Sequence, residues 1–456
     1  MTALERLGCY LANGQAPPRL AFDNAKLRVV DNVAAWIAGM DTAEGRALLA
    51  LRKELADGDR VSASLMTHCA LARLSEIDDI HLAAMTTAGG IVVPAALTLA
   101  AALKETGPTA LGRAIAGGYD AMIRLGLALR GPTILYRGIW PTYIGTAFGV
   151  AAVAARLMRL DEKQAAHALA LALTTAAPGV GHHNAPTTTR WLAVGLAARN
   201  GYLAARAARA GFTSDLNLLD GKFFASVYDI RPDTAELTRG LDQHLAMLDV
   251  SFKPWCAARQ TMAATQALNE ILARGVRPDK IAEIEAGVLP PHHGMLDHGV
   301  KPGDRASFLT SLPYRLAIAA IDPDEAFGVA QSPAAVPEPI VALMAKVTVT
   351  QNERLLARYP KVWPAHIRVV TVAGETYEQE VEYLPGDVRL PFGVDDVKQK
   401  FRRFVAAAPG TARIDELLTL AAQALVDQDA PLRLFDAIEQ ACADCIGGTG
   451  SSNKAR

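Results

Sequence analysis

The uncharged segment Leu82–Leu103 constrains the fold of this chain more than any other feature. It is long enough to cross a bilayer. However, Gly89, Gly90 and Pro94 interrupt it, and neither a second apolar span nor a basic loop accompanies it. We therefore expect a helix buried within a helical core and no interaction with a membrane.

The sequence pattern changes from helical to strand-like and back along the chain, with helices returning from "GVDDVKQKFRRFVAAA". Up to about Leu248, segments rich in Ala and Leu alternate with short Gly and Pro breaks, which is typical of successive helices. After "SFKPW", stretches such as "HIRVVTVAGETYEQEV" alternate apolar and polar residues, with Ala373–Gly374 as a hairpin turn. The sequence predicts a mainly α fold: a large all-helical domain (1–248 and 406–456) with a smaller inserted α+β lid domain (249–405).

Composition narrows the class of protein. The chain has 456 residues, of which 51% are hydrophobic and 20% charged, so a large buried interior or a subunit interface is expected. The net charge of −1, without a basic stripe, argues against a nucleic-acid partner. An odd number of cysteines (5) and an N-terminus without a basic start and apolar core favour a reduced, cytoplasmic protein.

Acidic residues and a histidine stand directly before the uncharged segment. If Ser75–Gly90 is helical, Glu76 and Asp79 share one face, while Asp78 and His81 share another. Asp78 would then orient the imidazole of His81 for proton transfer. The alternative is a solvated helix end, because acidic residues also favour the first turn of a helix.

Two further segments place cations among apolar residues. The segment "GHHNAPTTTRW" presents His182, His183 and Arg190 in a Gly- and Pro-bounded loop, where Arg190 can bind a carboxylate, although a simple helix connection is equally compatible. In "SFKPWCAARQT", Lys253 and Arg259 form a second candidate carboxylate site, with a solvated surface as the alternative.

The sequence predicts no metal site. The loop "PPHHGMLDHG" holds His292, His293, Asp297 and His298, but these residues have no fixed geometry in the sequence. The pair Cys442 and Cys445 has no second ligand pair at zinc spacing. In "SLPYRLAIAAID", Tyr314 can donate a proton or simply pack.

Taken together, several segments resemble the MmgE/PrpD family, which includes 2-methylcitrate dehydratase, cis-aconitate decarboxylase and iminodisuccinate epimerase. The resemblance covers nearly the whole chain. It rests on the segments "EIDDIHLAAMTTAGGIVVPAAL", "GIWPTYIGTAFGVAAVAARL", "TRWLAVGLAARNGYLAARAARAGFTS", "SFKPWCAARQTMAATQAL", "SLPYRLAIAAID" and "YLPGDVRLPFGVDDVKQKFRR".

The resemblance implies a helical domain built from both chain ends, an inserted α+β lid, and a homodimer. It also implies an active site in the cleft between domains, with neither a metal nor an organic cofactor. The chemistry of the family is elimination, decarboxylation or epimerisation at a carbon next to a carboxylate. Such reactions need cations for the substrate carboxylates and an acid and a base for the proton.

Some family positions carry over residue by residue. Asp78, Asp79, Lys253 and Tyr314 stand where the family has the same residue types, while Glu76 replaces an Asp and Arg190 replaces a Lys. In three places the family pattern has His and this chain has Thr86, Trp140 and Ala193.

The replaced histidines bear on mechanism more than on fold. We expect His81, with His182 or His183, to take over their function, and Trp140 to make the site more apolar. A small, weakly charged carboxylate with an alkyl or aromatic group is therefore the predicted substrate.

The predicted function is that of a cofactor-independent lyase, a dehydratase or decarboxylase. Asp78, His81, Lys253, Tyr314 and His183 would be catalytic, and Glu76, Asp79, Thr86, Trp140, His182, Arg190 and Arg259 would bind substrate. The alternatives are an isomerase or epimerase, and a catalytically silent carboxylate-binding or scaffold homologue.

Overall fold

The chain forms two compact units. The computed structural model describes residues 1–14, 17–55, 57–176, 187–241, 243–406 and 413–447. The helical unit comprises the described residues of Met1–Gly181, Thr188–Val250 and Gly393–Arg456. The α+β unit comprises those of His182–Thr187 and Ser251–Phe392. The predicted mainly α class with a smaller α+β part is confirmed.

The helices are numbered along the chain. Before residue 250 they are α1 (Ala3–Asn13), α2 (Arg19–Gly39), α3 (Ala43–Glu54), α4 (Arg60–Leu74), α5 (Gly89–Leu103), α6 (Pro108–Ala128), α7 (Gly131–Ile134), α8 (Pro141–Leu157), α9 (Glu162–Thr174), α10 (Thr189–Arg209), α11 (Phe223–Tyr228) and α12 (Thr234–Thr238). The α+β unit contains α13 (Arg259–Leu272), α14 (Pro290–Leu296), α15 (Arg305–Thr310), α16 (Leu312–Ile321) and α17 (Glu338–Met344). The helical unit resumes with α18 (Val394–Val405), α19 (Ile414–Gln423) and α20 (Ala430–Gly447).

Local sequence sets where helices begin and how closely they pack. At the start of α1, Thr2 and Glu5 exchange side-chain to backbone hydrogen bonds, which satisfies two otherwise unpaired amides. Helices α8 and α10 approach closely because Gly201 faces Ala147, and a Cβ at Gly201 would overlap the Ala147 carbonyl. The Ala- and Gly-rich composition therefore produces a densely packed bundle.

Two apolar helices carry the loop that holds the predicted acids. Residues 63–74 of α4 and 89–100 of α5 are buried without interruption. Helix α5 begins only at Gly89, so the first part of the uncharged segment forms turns. No helix in the described ranges combines the length and hydropathy that a membrane crossing requires.

The α+β unit is built around a four-stranded sheet with the order β2-β1-β3-β4. The strands are β1 (Ile281–Val288), β2 (Val347–Gln351), β3 (Ala365–Thr371) and β4 (Thr376–Val381). Strand β1 pairs in parallel with β2 and antiparallel with β3, and β3 and β4 form the predicted hairpin, with Gly374 at φ 84°. Alternate residues of β3, including Ile367 and Val369, are buried in a core shared with α13 and α16.

Helix α18 belongs to the helical unit, because the chain passes from the α+β unit back to the helical unit at Gly393. The sequence places this return later, at 406. Helix α18 is amphipathic and buries Val397, Phe401 and Phe404. It packs against α2, which explains why it groups with the helices.

Candidate active site

The acidic segment is a loop, and the helical arrangement considered for it is wrong. Helix α4 ends at Leu74, and Glu76 adopts a left-handed backbone conformation with φ 59°. Further on, His81 and Thr86 pair through their backbones across a tight turn. The helical spacing that would have let Asp78 orient His81 is therefore not present.

Asp79 is the centre of a buried hydrogen-bond network. Its Oδ2 accepts a hydrogen bond of 2.6 Å from Tyr119 and longer ones of 3.4 Å from Arg28 and Asn32. Its Oδ1 accepts from the amide of Gly89, the first residue of α5, at 2.9 Å. We call Arg28, Asn32, Asp79, Gly89 and Tyr119 the anchor network.

The anchor network explains why an acidic residue precedes the apolar helix. A carboxylate at a helix N-terminus satisfies an unpaired amide and is stabilised by the helix dipole. Asp79 is 0% exposed, and its contacts with the described chain all hold α2, α5 and α6 around it. The predicted substrate-binding residue Asp79 thus has the contacts of a structural residue.

Helix α18 fixes the same loop from a second direction. The Nζ of Lys400 donates to the carbonyl of Ile77 at 2.7 Å and lies 2.5 Å from Oδ1 of Asp31 on α2. Burial raises the pKa of Asp31, and the charge of Lys400 opposes this. Buried contacts of Lys400 therefore connect the loop before Asp78 to both α18 and α2.

His81 and Thr86 also stabilise the loop internally. The Nδ1 of His81 accepts a hydrogen bond of 3.1 Å from the amide of Ala84, and the hydroxyl of Thr86 donates to the Ala84 carbonyl. Burial lowers the pKa of His81 to about 4, so the imidazole is neutral at neutral pH. A neutral histidine with so low a pKa is a poor proton donor and a weak base.

Asp78 and Glu76 form ion pairs with Arg73, which the sequence analysis missed. Arg73, near the end of α4, donates to Glu76 at 2.8 Å and to Asp78 at 3.1 Å. Burial lowers the pKa of Arg73, but the two carboxylates more than offset this and raise it. The guanidinium therefore stays charged among buried groups.

Aromatic residues and a second arginine complete this group. Arg190, on α10, lies 5.1 Å from the ring centroid of Trp140 and 5.6 Å from that of Trp191. The rings of Trp140 and Tyr143 are 5.4 Å apart. Arg73 also lies 6.0 Å from Trp191. Such ring contacts stabilise guanidinium groups.

We call this group the arginine–aromatic cluster. It brings together four sequence-predicted site residues with three that were not predicted: Arg73, Glu76, Asp78, Trp140, Tyr143, Arg190 and Trp191.

Tyr143 is the most deeply buried aromatic residue of the cluster. It is 1% exposed, and its hydroxyl forms no hydrogen bond with any residue that the structure describes. Burial raises the pKa of Tyr143 to about 12, although Arg73 and Arg190 lower it in part. The phenol is therefore protonated at neutral pH and can donate a hydrogen bond.

Gly90 leaves room for Asp78 beside α5. A Cβ at this position would lie 2.8 Å from Oδ2 and 3.2 Å from Cβ of Asp78. Both distances are shorter than ordinary van der Waals contacts. The glycine pair at the start of α5 thus leaves room for one network at each position: Asn32 and Tyr119 of the anchor network lie against Gly89, and Asp78 lies against Gly90.

The other predicted site residues lie in the α+β unit. Lys253 is 1% exposed. Arg259 donates through Nη2 to both oxygens of Asp387, at 2.9 and 2.8 Å, so its charge is compensated within the unit. Tyr314 packs edge-on against Phe308, and burial raises its pKa to about 12.

Two predicted histidines, His182 and His183, lie outside the described residues. The segment "PPHHGMLDHG", expected to be a loop, instead forms helix α14 over Pro290–Leu296, and His293 lies 3.6 Å from Asp297, directly after the helix. His298 instead contacts Thr310. No group of three or more potential ligands that could hold a metal occurs in the described part of the chain.

Three residues that contact predicted site residues were not predicted from the sequence, for different reasons: Arg73, Tyr143 and Asp387. Arg73 had a usable signal, because a charged residue near the end of an otherwise apolar buried helix needs a partner. Tyr143 resembles an ordinary core residue in the sequence. Asp387 is far from Arg259 along the chain, and the sequence gives no indication of their pairing.

Two family models match the chain. The model of the MmgE/PrpD N-terminal domain matches residues 9–233, and that of the MmgE/PrpD C-terminal domain matches residues 255–423. No curated protein sequence matches the chain. The first match includes the loop, the anchor network and the arginine–aromatic cluster.

Proposed function

The chain belongs to the MmgE/PrpD family, and from this premise we propose that it is a cofactor-independent lyase acting on a small carboxylic acid. The observation that carries the proposal is the arginine–aromatic cluster. It joins two guanidinium groups, two carboxylates and a protonated phenol in a buried environment. Buried cations of this kind favour the binding of a carboxylate.

The cluster also supports a chemical step. Removal of a proton from the carbon next to a carboxylate moves the C–H electron pair into an enediolate, whose negative charge resides on the carboxylate oxygens. We assign the proton to Asp78 and the stabilisation of the enediolate to Arg190. Departure of a hydroxyl group from the neighbouring carbon, protonated as it leaves, yields water and an unsaturated acid.

Asp78 replaces His81 as the proposed base. The sequence predicts proton transfer by His81, but the hydrogen bond that its Nδ1 accepts from the Ala84 amide and its lowered pKa do not favour that function. Lys253 and Tyr314 remain proposed as a carboxylate ligand and an acid. Arg259 is a weaker candidate, because Asp387 already pairs with it.

The aromatic residues of the cluster support a proposal for the substrate class. Trp140, Tyr143 and Trp191 present aromatic rings beside Arg190. Aromatic walls bind apolar groups, and a guanidinium binds the carboxylate. We therefore propose an alkyl- or aryl-bearing acid, and turnover restricted to tricarboxylates would contradict this.

The decisive experiment incubates the pure protein in deuterium oxide with di- and tricarboxylates, hydroxy acids and enoic acids. NMR and mass spectrometry then report deuterium uptake and the loss of water or carbon dioxide. Turnover by the wild type is expected, and Asp78→Asn should lower it by about 10²- to 10⁴-fold, since general base catalysis contributes this much.

A matched pair of variants on α10 tests carboxylate binding. Arg190→Gln removes the buried guanidinium and should raise KM or abolish turnover. Arg199→Gln removes an exposed guanidinium from the same helix and should change neither. Equal effects of both substitutions would contradict the assignment of Arg190.

The second candidate function is a catalytically silent carboxylate binder. Thr86 and Trp140 favour it, because they stand where the resemblance implies histidines. A thermal shift with carboxylates, together with no deuterium uptake and no product, would support this function over the lyase.

A further inference from the structure

Tyr143 differs from Tyr119 and Tyr10, two other buried tyrosines of the helical unit. The hydroxyl of Tyr119 donates to Asp79 at 2.6 Å, and that of Tyr10 donates to Asp120 at 2.9 Å. The hydroxyl of Tyr143 is equally buried but bonds to no group in the described ranges. Buried polar groups are nearly always hydrogen-bonded, so a buried donor without a partner in the described residues is suited to a bound ligand.

A second unpaired donor lies beside it. The indole Nε1 of Trp140 is buried and has no hydrogen-bond partner within the described chain. The two rings are 5.4 Å apart, and the guanidinium of Arg190 lies over Trp140. Two neutral donors therefore adjoin a cation, which is the donor set that an anionic oxygen requires.

The protonation state of Tyr143 restricts its function to donation. Burial raises its pKa to about 12, and the nearby charges of Arg73 and Arg190 reduce that increase without reversing it. The phenol is consequently protonated throughout the neutral range. It is suited to stabilise a developing negative charge rather than to remove a proton from carbon.

We propose that the Tyr143 hydroxyl donates a hydrogen bond to a carboxylate oxygen of the substrate and stabilises the enediolate that forms next to Arg190. This assignment rests on the proposed function, because it requires a carboxylate in the arginine–aromatic cluster. Proton removal by Asp78 places the carbon electron pair on the carboxylate oxygens, and the hydrogen bond from Tyr143 strengthens as their charge increases. No covalent bond to Tyr143 is formed or broken.

The test is Tyr143→Phe, with Tyr10→Phe as its matched control. Tyr143→Phe keeps the ring against Trp140 and removes only the hydroxyl. It should lower kcat by about 100-fold, the effect of losing one such donor, with a smaller change in KM and no decrease in Tm. Tyr10→Phe removes a hydroxyl that is bonded to Asp120, so it should lower Tm and leave kcat unchanged.

The opposite pattern would overturn the proposal. Unchanged kcat in Tyr143→Phe, measured on an acid that the wild type converts, shows that the hydroxyl does not act in the reaction. A decrease in Tm equal to that of Tyr10→Phe, with kcat per folded molecule retained, shows that Tyr143 is structural.

A binding experiment separates this proposal from the proposed function. The full-length protein is labelled with ¹³Cζ-tyrosine, and the Tyr143 signal is assigned by its loss in Tyr143→Phe. Acetate, phenylacetate and cinnamate are then added. A shift of the Tyr143 signal without turnover of any acid refutes the lyase but supports the contact, whereas no shift with any of the three acids overturns the contact.

Discussion

Asp78 and Asp79 are adjacent, have the same chemistry and are both 0% exposed, yet they belong to different parts of the molecule. Asp79 accepts hydrogen bonds within the anchor network, which joins α2, α5 and α6. Asp78 pairs with Arg73 in the arginine–aromatic cluster. Because successive side chains of the loop point to different sides, one short segment contributes both to the fold and to the candidate site.

The two networks also differ in the kind of buried group that lacks a hydrogen-bond partner. In the anchor network, both oxygens of Asp79 accept hydrogen bonds from the surrounding chain, and the group without a partner in the described residues is an acceptor, Oδ1 of Asn32. In the arginine–aromatic cluster, two donors, the Tyr143 hydroxyl and the Trp140 indole Nε1, are buried without a partner in the described chain. Donors of this kind suit an anionic ligand, whereas an additional acceptor does not.

The largest expected effect is the loss of stability when Asp79 is substituted, compared with the same substitution at Asp78. Asp79→Asn places an amide NH₂ where one oxygen now accepts, and it removes the negative charge that lies 3.4 Å from the Arg28 guanidinium. Removal of one partner from a buried ion pair costs about 3–5 kcal/mol, so the free energy of unfolding should decrease by about that amount. Urea denaturation measures it.

Asp78→Asn is the matched control for this loss. The asparagine oxygen can still accept from Arg73, which also keeps Glu76, so the free energy of unfolding should decrease by only about 1 kcal/mol. If both variants lose equal stability, the division of the loop into a structural and a functional acid is wrong.

Substitution of the first glycine of α5 should give the next largest loss of stability. In Gly89→Ala the new methyl group overlaps Asn32 and Tyr119 of the anchor network. Overpacking typically costs about 1–3 kcal/mol, and we expect the upper part of that range. Thermal or urea unfolding of the variant against the wild type measures the loss.

Gly90→Ala sharpens the comparison, because its methyl group approaches Asp78 instead, at 2.8 Å from Oδ2. Stability should change by less than in Gly89→Ala, while kcat should decrease by about tenfold or more, since small displacements of a reacting group reduce rates strongly. The reverse order, with activity lost in Gly89→Ala and stability lost in Gly90→Ala, would contradict the assignment of the two networks.

The comparison also shows how far the sequence predicts this molecule. The change from helices to an α+β part, the β3–β4 hairpin and the buried helix α5 all follow from periodicity and from turn residues such as Gly374. These features depend on local sequence, and local patterns predict them well.

The candidate site depends on backbone conformations and distant contacts that no local pattern reveals. The left-handed conformations of Glu76 and Met85 replace the expected helix by a loop, and this separates Asp78 from His81. The partners Arg73 and Tyr143 come from α4 and α8, and both belong to segments that resemble ordinary core. Residue types at the site were predictable, but their pairings were not.

The smallest expected effect is the contribution of His81 to the pH dependence of stability. It tests whether His81 belongs to the structural part of the loop. Burial lowers its pKa from an ordinary value of 6.5 to about 4, so the folded protein favours the neutral imidazole. Below pH 6.5 the unfolded chain binds a proton that the folded chain does not bind until about pH 4. The free energy of unfolding that depends on a neutral His81 is therefore fully present above pH 7. It decreases as the pH falls from 6.5 to 4, by about 1 kcal/mol per pH unit.

The measurement compares the wild type with His81→Asn, whose side-chain oxygen can replace Nδ1 as the acceptor for the Ala84 amide. Between pH 7 and 5.5 the wild type should lose about 1 kcal/mol more stability than the variant. Parallel pH profiles of unfolding would mean that His81 is protonated equally in both states and therefore more open to solvent than the loop implies. Proton transfer by His81 would then regain the support that its burial removes, and the division between the two acids would no longer extend to the histidine.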